Sequence, residues 1–189
     1  MIADLVRTNR SYRRFYQEVS IEHETLKELV GLTRHCASAA NLQPLRYILS
    51  WAPEKNALIF KHIAWAAYLK EWKGPPEGER PSAYIIVLGD TTIAKSFGCD
   101  HDIASQTILL GATEKGLGGC MIGSVKRKEL RQALSIPGHL EILLVIALGK
   151  PKETVVIETV GPDGNIKYWR DSQDVHHVPK RSLDEVIVA

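Results

Sequence analysis

The sequence predicts an α+β fold in which a central sheet is covered on both faces by helices. Two observations lead there. Ala83-Tyr84-Ile85-Ile86-Val87-Leu88 and Ile142-Leu143-Leu144-Val145-Ile146-Ala147-Leu148 are continuous apolar runs of strand length. A strand that is apolar at every position, not at alternate ones, has both faces buried. Around these runs lie segments whose apolar residues recur at helical spacing, and these supply the covering layers. At 189 residues the chain is long enough for one sizeable core and is read as a single domain, 1–189.

Taken in order, Ile2, Leu5 and Val6 predict a short amphipathic helix ending near Asn9, so that the arginines after it sit at its exit. Ser20 is a candidate N-cap for a second helix carrying Leu26, Leu29, Val30 and Thr33 to about Cys36. The loop 38–44 then leads to a strand over 46–51. Residues 56–70 read as a helix with Leu58, Ile63, Ala66, Ala67 and Leu69, broken by Gly74-Pro75-Pro76-Glu77-Gly78. After the first buried strand, 100–115 is a helix dense in Ile, Leu and Ala, with Gly116 as its C-terminal cap. Gly149-Lys150-Pro151 ends the second buried strand. Beyond it, 155–160 and 166–169 flank the turn signal Gly161-Pro162-Asp163-Gly164-Asn165 and predict a hairpin, and 184–188 predicts a last short strand. This tail, 152–189, holds too few apolar residues for a core of its own and must pack on something else.

Composition narrows the function. Charged residues make up 24% and hydrophobic ones 44%, which are globular values, and the formal net charge is +2 with the basic residues spread along the chain. Nucleic-acid binding as the main role is not indicated. No apolar run reaches the roughly 18 residues of a membrane span, and the first residues place Asp4 where a signal peptide would be apolar. A cytoplasmic protein is expected. Cys36, Cys99 and Cys120 lie far apart without a Cys-x-x-Cys pair, so reduced, buried cysteines are expected and no metal site.

Three polar clusters are candidates for chemistry. Asn9-Arg10-Ser11-Tyr12-Arg13-Arg14-Phe15 gathers three guanidinium groups around a hydroxyl, donors that suit a phosphate, although a charge run is also commonly a solvated face. Ser38-Ala39-Ala40-Asn41-Leu42-Gln43-Pro44 offers amides that can meet both donor and acceptor edges of a ring. Gly116-Leu117-Gly118-Gly119 fails as a dinucleotide fingerprint, since Met121 stands at the sixth position and the segment follows a helix. His176 and His177 are adjacent on an extended segment, point to opposite sides, and read as packing or exposed residues instead of metal ligands.

The order and spacing of these segments resemble the nitroreductase family. The resemblance runs from Arg7 to the tail motif His177-Val178-Pro179-Lys180-Arg181-Ser182-Leu183 and leaves 52–80 unmatched. It implies a three-layer sandwich with a central mixed sheet and a C-terminal tail exchanged in a homodimer. It also implies FMN as cofactor, NADH or NADPH as reductant, and transfer of hydride through flavin N5 to a small electron-poor acceptor. Carried over by position, Arg10, Ser11, Arg13, Lys180 and Arg181 would hold the phosphate, and Ser38, Asn41 and Gln43 the ring edge. The turn Ile122-Gly123-Ser124 would lay backbone against the flavin, where glycine permits close approach. Asn9, Ala37 and Leu45 depart from the family pattern, which leaves open which arginine makes the main phosphate contact.

Trp65, Tyr68 and Trp72 read either as the packed face of a helix or as a lid that selects the substrate. Absence of a nucleophile triad agrees with a flavin carrying the chemistry. Alternatives of the same fold are a flavin-fragmenting or reductive dehalogenating enzyme, and one of another class is a flavin-binding sensor without turnover.

Overall fold

The two apolar runs are adjacent central strands. The computed structural model describes residues 1–188, and its elements are helices α1 (Ile2–Thr8), α2 (His23–Thr33), α3 (Pro53–Phe60), α4 (Asp100–Glu114), α5 (Arg127–Ala133) and α6 (Leu183–Val186). The strands are β1 (Phe15–Tyr16), β2 (Leu45–Ser50), β3 (Ala83–Asp90), β4 (Gly118–Ile122), β5 (Leu140–Pro151), β6 (Val155–Thr159), β7 (Trp169–Arg170) and β8 (His176–Lys180). β5 is the hub: β3, β4 and β1 all pair with it antiparallel, and β2 pairs antiparallel with β3. The sheet is mixed only through the parallel bridge between Ser11 and Gly119.

Alternation along β3 divides the core in two. Ala83, Ile85 and Val87 face α2 and α4, packing with Leu26, Leu29 and Ile108, whereas Tyr84, Ile86 and Leu88 face Ile59 of α3 and Leu130 of α5. The sheet is therefore the middle of three layers, as expected. A bulge in β5 keeps the two sides in step: Val87 pairs with Leu144 and Leu88 with Ile142, so Leu143 is the additional residue. α4 ends in a left-handed Gly116 (φ 68°), with Leu117 N–H bonded to Ala112 at 2.9 Å and Gly116 N–H to Thr113 at 3.0 Å, the paired bonds of a Schellman cap.

Several expectations are corrected. α2 begins at His23 behind Glu22, not behind Ser20. The helix expected over 56–70 is α3, which starts at Pro53 and stops at Phe60. Proline is favoured at the first helical turn, and beyond Phe60 the backbone turns to bond with 122–126 instead: Ile63 bridges Val125, and Lys126 N–H donates to His62 carbonyl at 2.8 Å. β4 and α5 were not foreseen. The tail makes no hairpin, because β8 comes between its arms, parallel to β6 and antiparallel to β7. Residues 184–188, expected as a strand, instead include helix α6, whose Ser182 hydroxyl and backbone N–H both donate to Glu185, a capping box.

Cys120 is buried, Cys36 half-buried and Cys99 exposed, so only one cysteine fits the expectation of burial. No helix among the described residues is long and apolar enough to cross a membrane.

Candidate active site

Asn9 caps the end of α1, its N–H on Leu5 carbonyl at 2.8 Å, and the chain then runs across the outer edge of β4. There Tyr12 N–H bonds Gly119 carbonyl at 3.0 Å. Gly118 has no room for a side chain, since a Cβ would come within 2.5 Å of the Tyr12 ring. This close approach fixes the arginine segment over a cavity of about 500 Å³. Arg10, Ser11 and Arg13 line it on one side, Gln106 and Met121 beneath, and Tyr168, His176 and Lys180 of the tail on the other.

The charges around this cavity are unbalanced. Arg13 donates to the Ser11 carbonyl at 3.1 Å and its guanidinium lies 5.0 Å from the Tyr168 ring centre. Arg10 donates to the Val6 carbonyl, while its Nε is buried without a partner. None of the ion pairs found among the described residues involves Arg10, Arg13 or Lys180. Arg14 behaves differently. It turns away to pair with Glu79, Nη2 to Oε1 at 2.9 Å, and with Asp174 at 3.0 Å. Hydrogen bonding to Arg14 holds the Glu79 carboxyl at about 2. Of the three arginines, Arg10 and Arg13 line the cavity without an acidic partner, and Arg14 is turned away into ion pairs.

Lys180 and Arg181 separate in the same way. Lys180 lines the cavity, and Arg181 faces outward with Glu185 at 3.6 Å. β8 ends at Lys180 and the chain then turns toward α6, so of the two expected cations the structure brings Lys180, and not Arg181, to the cavity.

Two further residues belong to this cavity's surroundings, one of them His176, which the sequence reads as a packing or exposed residue. Glu153, its carboxylate fully buried, accepts the backbone N–H groups of Arg13 and Arg14 and pairs with Arg170 at 2.9 Å, tying the arginine segment to the tail. No local pattern marks it. His176 is buried with its Nε2 3.3 Å from Arg13, and burial together with the Arg13 charge pulls its pKa down to about 4. His177, on the other side, stacks on Trp169 at 4.1 Å; burial lowers its pKa, but bonds to Glu158 and Asp171 outweigh this and leave it raised.

A smaller cavity of about 120 Å³ adjoins the first at Arg13 and Met121. Ile122, Gly123 and Ser124 line it, facing Ala64, Trp65 and Ala66. Nothing lies within 4 Å of where a Gly123 Cβ would stand, so a flat ring has open access to this backbone. The wall is attached to the turn: Ala64 N–H donates to Ser124 carbonyl at 2.9 Å. Trp65 is held by Gly74, whose left-handed backbone (φ 115°) leaves its absent Cβ 2.6 Å from the indole. Of the three expected substrate aromatics only Trp65 lines this cavity. Tyr68 packs on Tyr168 at 4.9 Å and Trp72 lies under Arg170 at 4.3 Å, so both bind the tail.

The amide loop is elsewhere. Ser38, Asn41 and Gln43 line a third cavity, about 230 Å³, with Asp100 and Ala104. Ala104 and Gln106 stand about 200° apart around α4, so this cavity and the arginine cavity lie on opposite sides of that helix. The loop is preorganised by Asp100, which accepts from Ser38 Oγ at 2.6 Å and Ala39 N–H at 3.0 Å. Gln43 donates to the Asn41 side chain at 3.2 Å, and Ala40, Asn41 and Gln43 all adopt left-handed backbone, with φ of 48°, 55° and 51°. Such conformations are costly for residues with a Cβ.

The model of the nitroreductase family matches residues 6–84 and 96–150. The chain belongs to the nitroreductase family. A relative from Methanothermobacter thermautotrophicus, described as an NADH dehydrogenase/NAD(P)H nitroreductase, is 30% identical over 159 residues, covering 80% of this chain and 78% of the relative. A nitroreductase family structure from Streptococcus pneumoniae superposes with TM-score 0.72 at 14% identity over 100% of both chains. An FMN-dependent nitroreductase from Clostridium difficile superposes with TM-score 0.65 at 23% identity, covering 81% of this chain and 88% of that one.

The nitroreductase site as found here fits a flavin mononucleotide in two respects. The arginine cavity offers donors lacking acidic partners, and the adjoining turn offers uncovered backbone.

Proposed function

We propose that this nitroreductase is an FMN-dependent oxidoreductase that oxidises NADH or NADPH and reduces a small electron-poor acceptor, such as a nitroaromatic or a quinone, in a ping-pong cycle. The observation that carries the reading is one continuous hollow with acid-free cations at one end and an open glycine turn at the other. Bound there, FMN would supply the redox chemistry, the uptake and release of hydride. The chain supplies the rest. Arg10, Arg13, Ser11 and Lys180 hold the phosphate by charge-assisted hydrogen bonds. Glu153 fixes the backbone from which Arg13 projects, and Trp65 walls the ring pocket where reductant and acceptor alternate.

The amide loop enters this reading through a second copy. Ser38, Asn41 and Gln43 are separated from the phosphate end by α4, so a loop of one protomer meets the flavin of its partner across an interface. Supporting this, the tail sheet leaves Val156 and Trp169, both beside His177 on one face, exposed at 38% and 45%, an apolar surface available to a partner. The tail packs on its own chain through Glu153, Tyr168 and Arg170, and the homodimer adds a further contact to it.

Purified protein should be yellow and release FMN, identified by chromatography, and anaerobic NADH or NADPH should bleach it in a stopped-flow trace. A colourless protein that FMN does not reconstitute overturns the reading. Bleaching without turnover of any acceptor would favour a sensor. A chain ending at Pro151 is expected to lose dimer and flavin together; one that stays dimeric and yellow refutes the role of the tail.

A further inference from the structure

A fourth cavity, about 130 Å³, shares no lining residue with those described above. It opens where β2 ends and β3 begins, and the stretch 52–80, left unmatched by the sequence reading but matched by the family model, contributes much of its wall. Trp51, Pro53, Ala57, Phe60 and Pro81 make it apolar. Trp51 is held upright against His23, ring centres 4.1 Å apart.

Three of its polar groups are donors without a partner. Arg80 Nε, Ser82 Oγ and Tyr84 OH are buried and have no hydrogen-bond partner, and the three residues line the same cavity. Tyr84 is 0% exposed and Ser82 8%. Arg80 lies over the Phe60 ring at 4.4 Å and takes part in none of the ion pairs found among the described residues. The remaining polar side chains of the wall are already engaged: Asn56 bonds Ser50 and the Ser82 carbonyl at 2.7 Å each, and Gln17 accepts from Gly78 and Arg80 N–H groups. No carboxylate lines the cavity.

A buried donor left unsatisfied costs about 1–3 kcal/mol, so three around one hollow call for an acceptor. We propose that this cavity is a second binding site, separate from the flavin site, for a small monocarboxylate with a flat apolar body. The carboxylate oxygens accept from Arg80, Ser82 and Tyr84, and the body lies between Trp51, Phe60 and Pro81. The cavity, at about 130 Å³, is slightly smaller than the roughly 150 Å³ that accommodates benzene, so a single flat ring is the largest body it admits, part of the ring lying in its open mouth. Burial also keeps the Tyr84 phenol protonated and hence a donor. The site requires nothing of the redox reading and stands without it.

Benzoate is the probe, titrated at neutral pH into the flavin-loaded protein while the indole N–H resonances are followed, with that of Trp51 assigned by its loss in Trp51→Phe. A saturable shift at Trp51 is expected, weakened at least tenfold in Arg80→Met, which keeps the stem over Phe60 and removes the charge. Neutral benzamide should bind at least tenfold more weakly than benzoate. Tyr84→Phe should weaken benzoate severalfold, and Ser82→Ala serves the same purpose if Tyr84→Phe fails to fold. No saturable shift at Trp51, a shift that Arg80→Met leaves unchanged, or a response confined to Trp65 each overturns the proposal, the last by placing benzoate beside the glycine turn.

Discussion

The two polar clusters on either side of α4 work to opposite ends, one cationic and the other built from amides, a hydroxyl and an acid. Around the arginine cavity the side chains are left unsaturated: Arg10 Nε has no partner, and Arg10, Arg13 and Lys180 have no acid. In the amide loop the side chains saturate one another and Asp100, and what is unusual is the backbone, left-handed at three non-glycine residues. The first arrangement stores binding capacity for an anion. The second stores shape, a loop held in one conformation before any partner arrives. Unmet donors favour affinity, and a fixed backbone favours fit.

The contrast is drawn most sharply by neighbours. Arg14→Ala leaves Glu79 beside Lys152 alone and strands a largely buried carboxylate, so unfolding free energy should fall by about 3 kcal/mol. The FMN affinity of the folded protein should stay within about twofold. Arg13→Ala should do the reverse, lowering FMN affinity ten- to a hundredfold, from a charge-assisted bond worth about 1.5–3 kcal/mol, with little change in denaturant midpoint. Equal effects of the two on flavin titration would erase the distinction between a structural and a ligand-facing arginine.

Acid should separate the same groups. Glu79 has a folded pKa near 2, below its ordinary 4.5, so its contribution is complete above pH 4.5 and is lost as pH falls toward 2. His176 is depressed from 6.5 to about 4, so the folded state resists its protonation, and stability drops by about 3 kcal/mol as pH falls from 6.5 to 4. His176→Gln should flatten the stability curve in the upper window alone. If unfolding midpoints at pH 4.5 and 7 differ equally in parent and variant, His176 is not the titrating group.

For the amide loop, Asp100→Ala removes the acceptor of Ser38 and Ala39 and should cost about 2 kcal/mol. The loop would relax from its left-handed turns, and dimer or flavin affinity should fall only as a consequence. Hydrogen exchange confined to 38–43 would confirm that Asp100 shapes this loop, whereas protection unchanged there would show that the turn holds itself.

These contrasts also explain what the sequence could reveal. Strands β3 and β5 were legible because every residue from Ala83 to Leu88 is apolar, a pattern that only burial on both faces explains. Arg10, Ser11 and Arg13 were legible because one short segment carries them. Glu153 was not, since the Arg13 and Arg14 N–H groups it accepts lie more than a hundred residues away and an isolated acid has no pattern. α6 was legible and overlooked: Ser182-Leu183-Asp184-Glu185 is a capping box, but Val186, Ile187 and Val188 drew the reading toward a strand. The end of α3 at Phe60 was set by tertiary pairing of Ile63 with Val125, which outweighs the helical spacing of 63–69.

The smallest effect separates Lys180 from Arg181. Lys180, the last residue of β8, lines the cavity, and Arg181, past the strand's end, turns out to Glu185, where an exposed i to i+4 pair contributes little. Lys180→Ala should therefore weaken FMN severalfold, and Arg181→Ala less than twofold. Because Lys180 is itself exposed, its attraction for the phosphate is screened, and its effect should shrink between low and physiological salt while that of half-buried Arg13 persists. Titration of the apoprotein with FMN at two ionic strengths reads both comparisons at once. Should Arg181→Ala be the more damaging of the two, the tail must adopt another register on the phosphate, as it would if β8 reached the site from a partner instead of from its own chain.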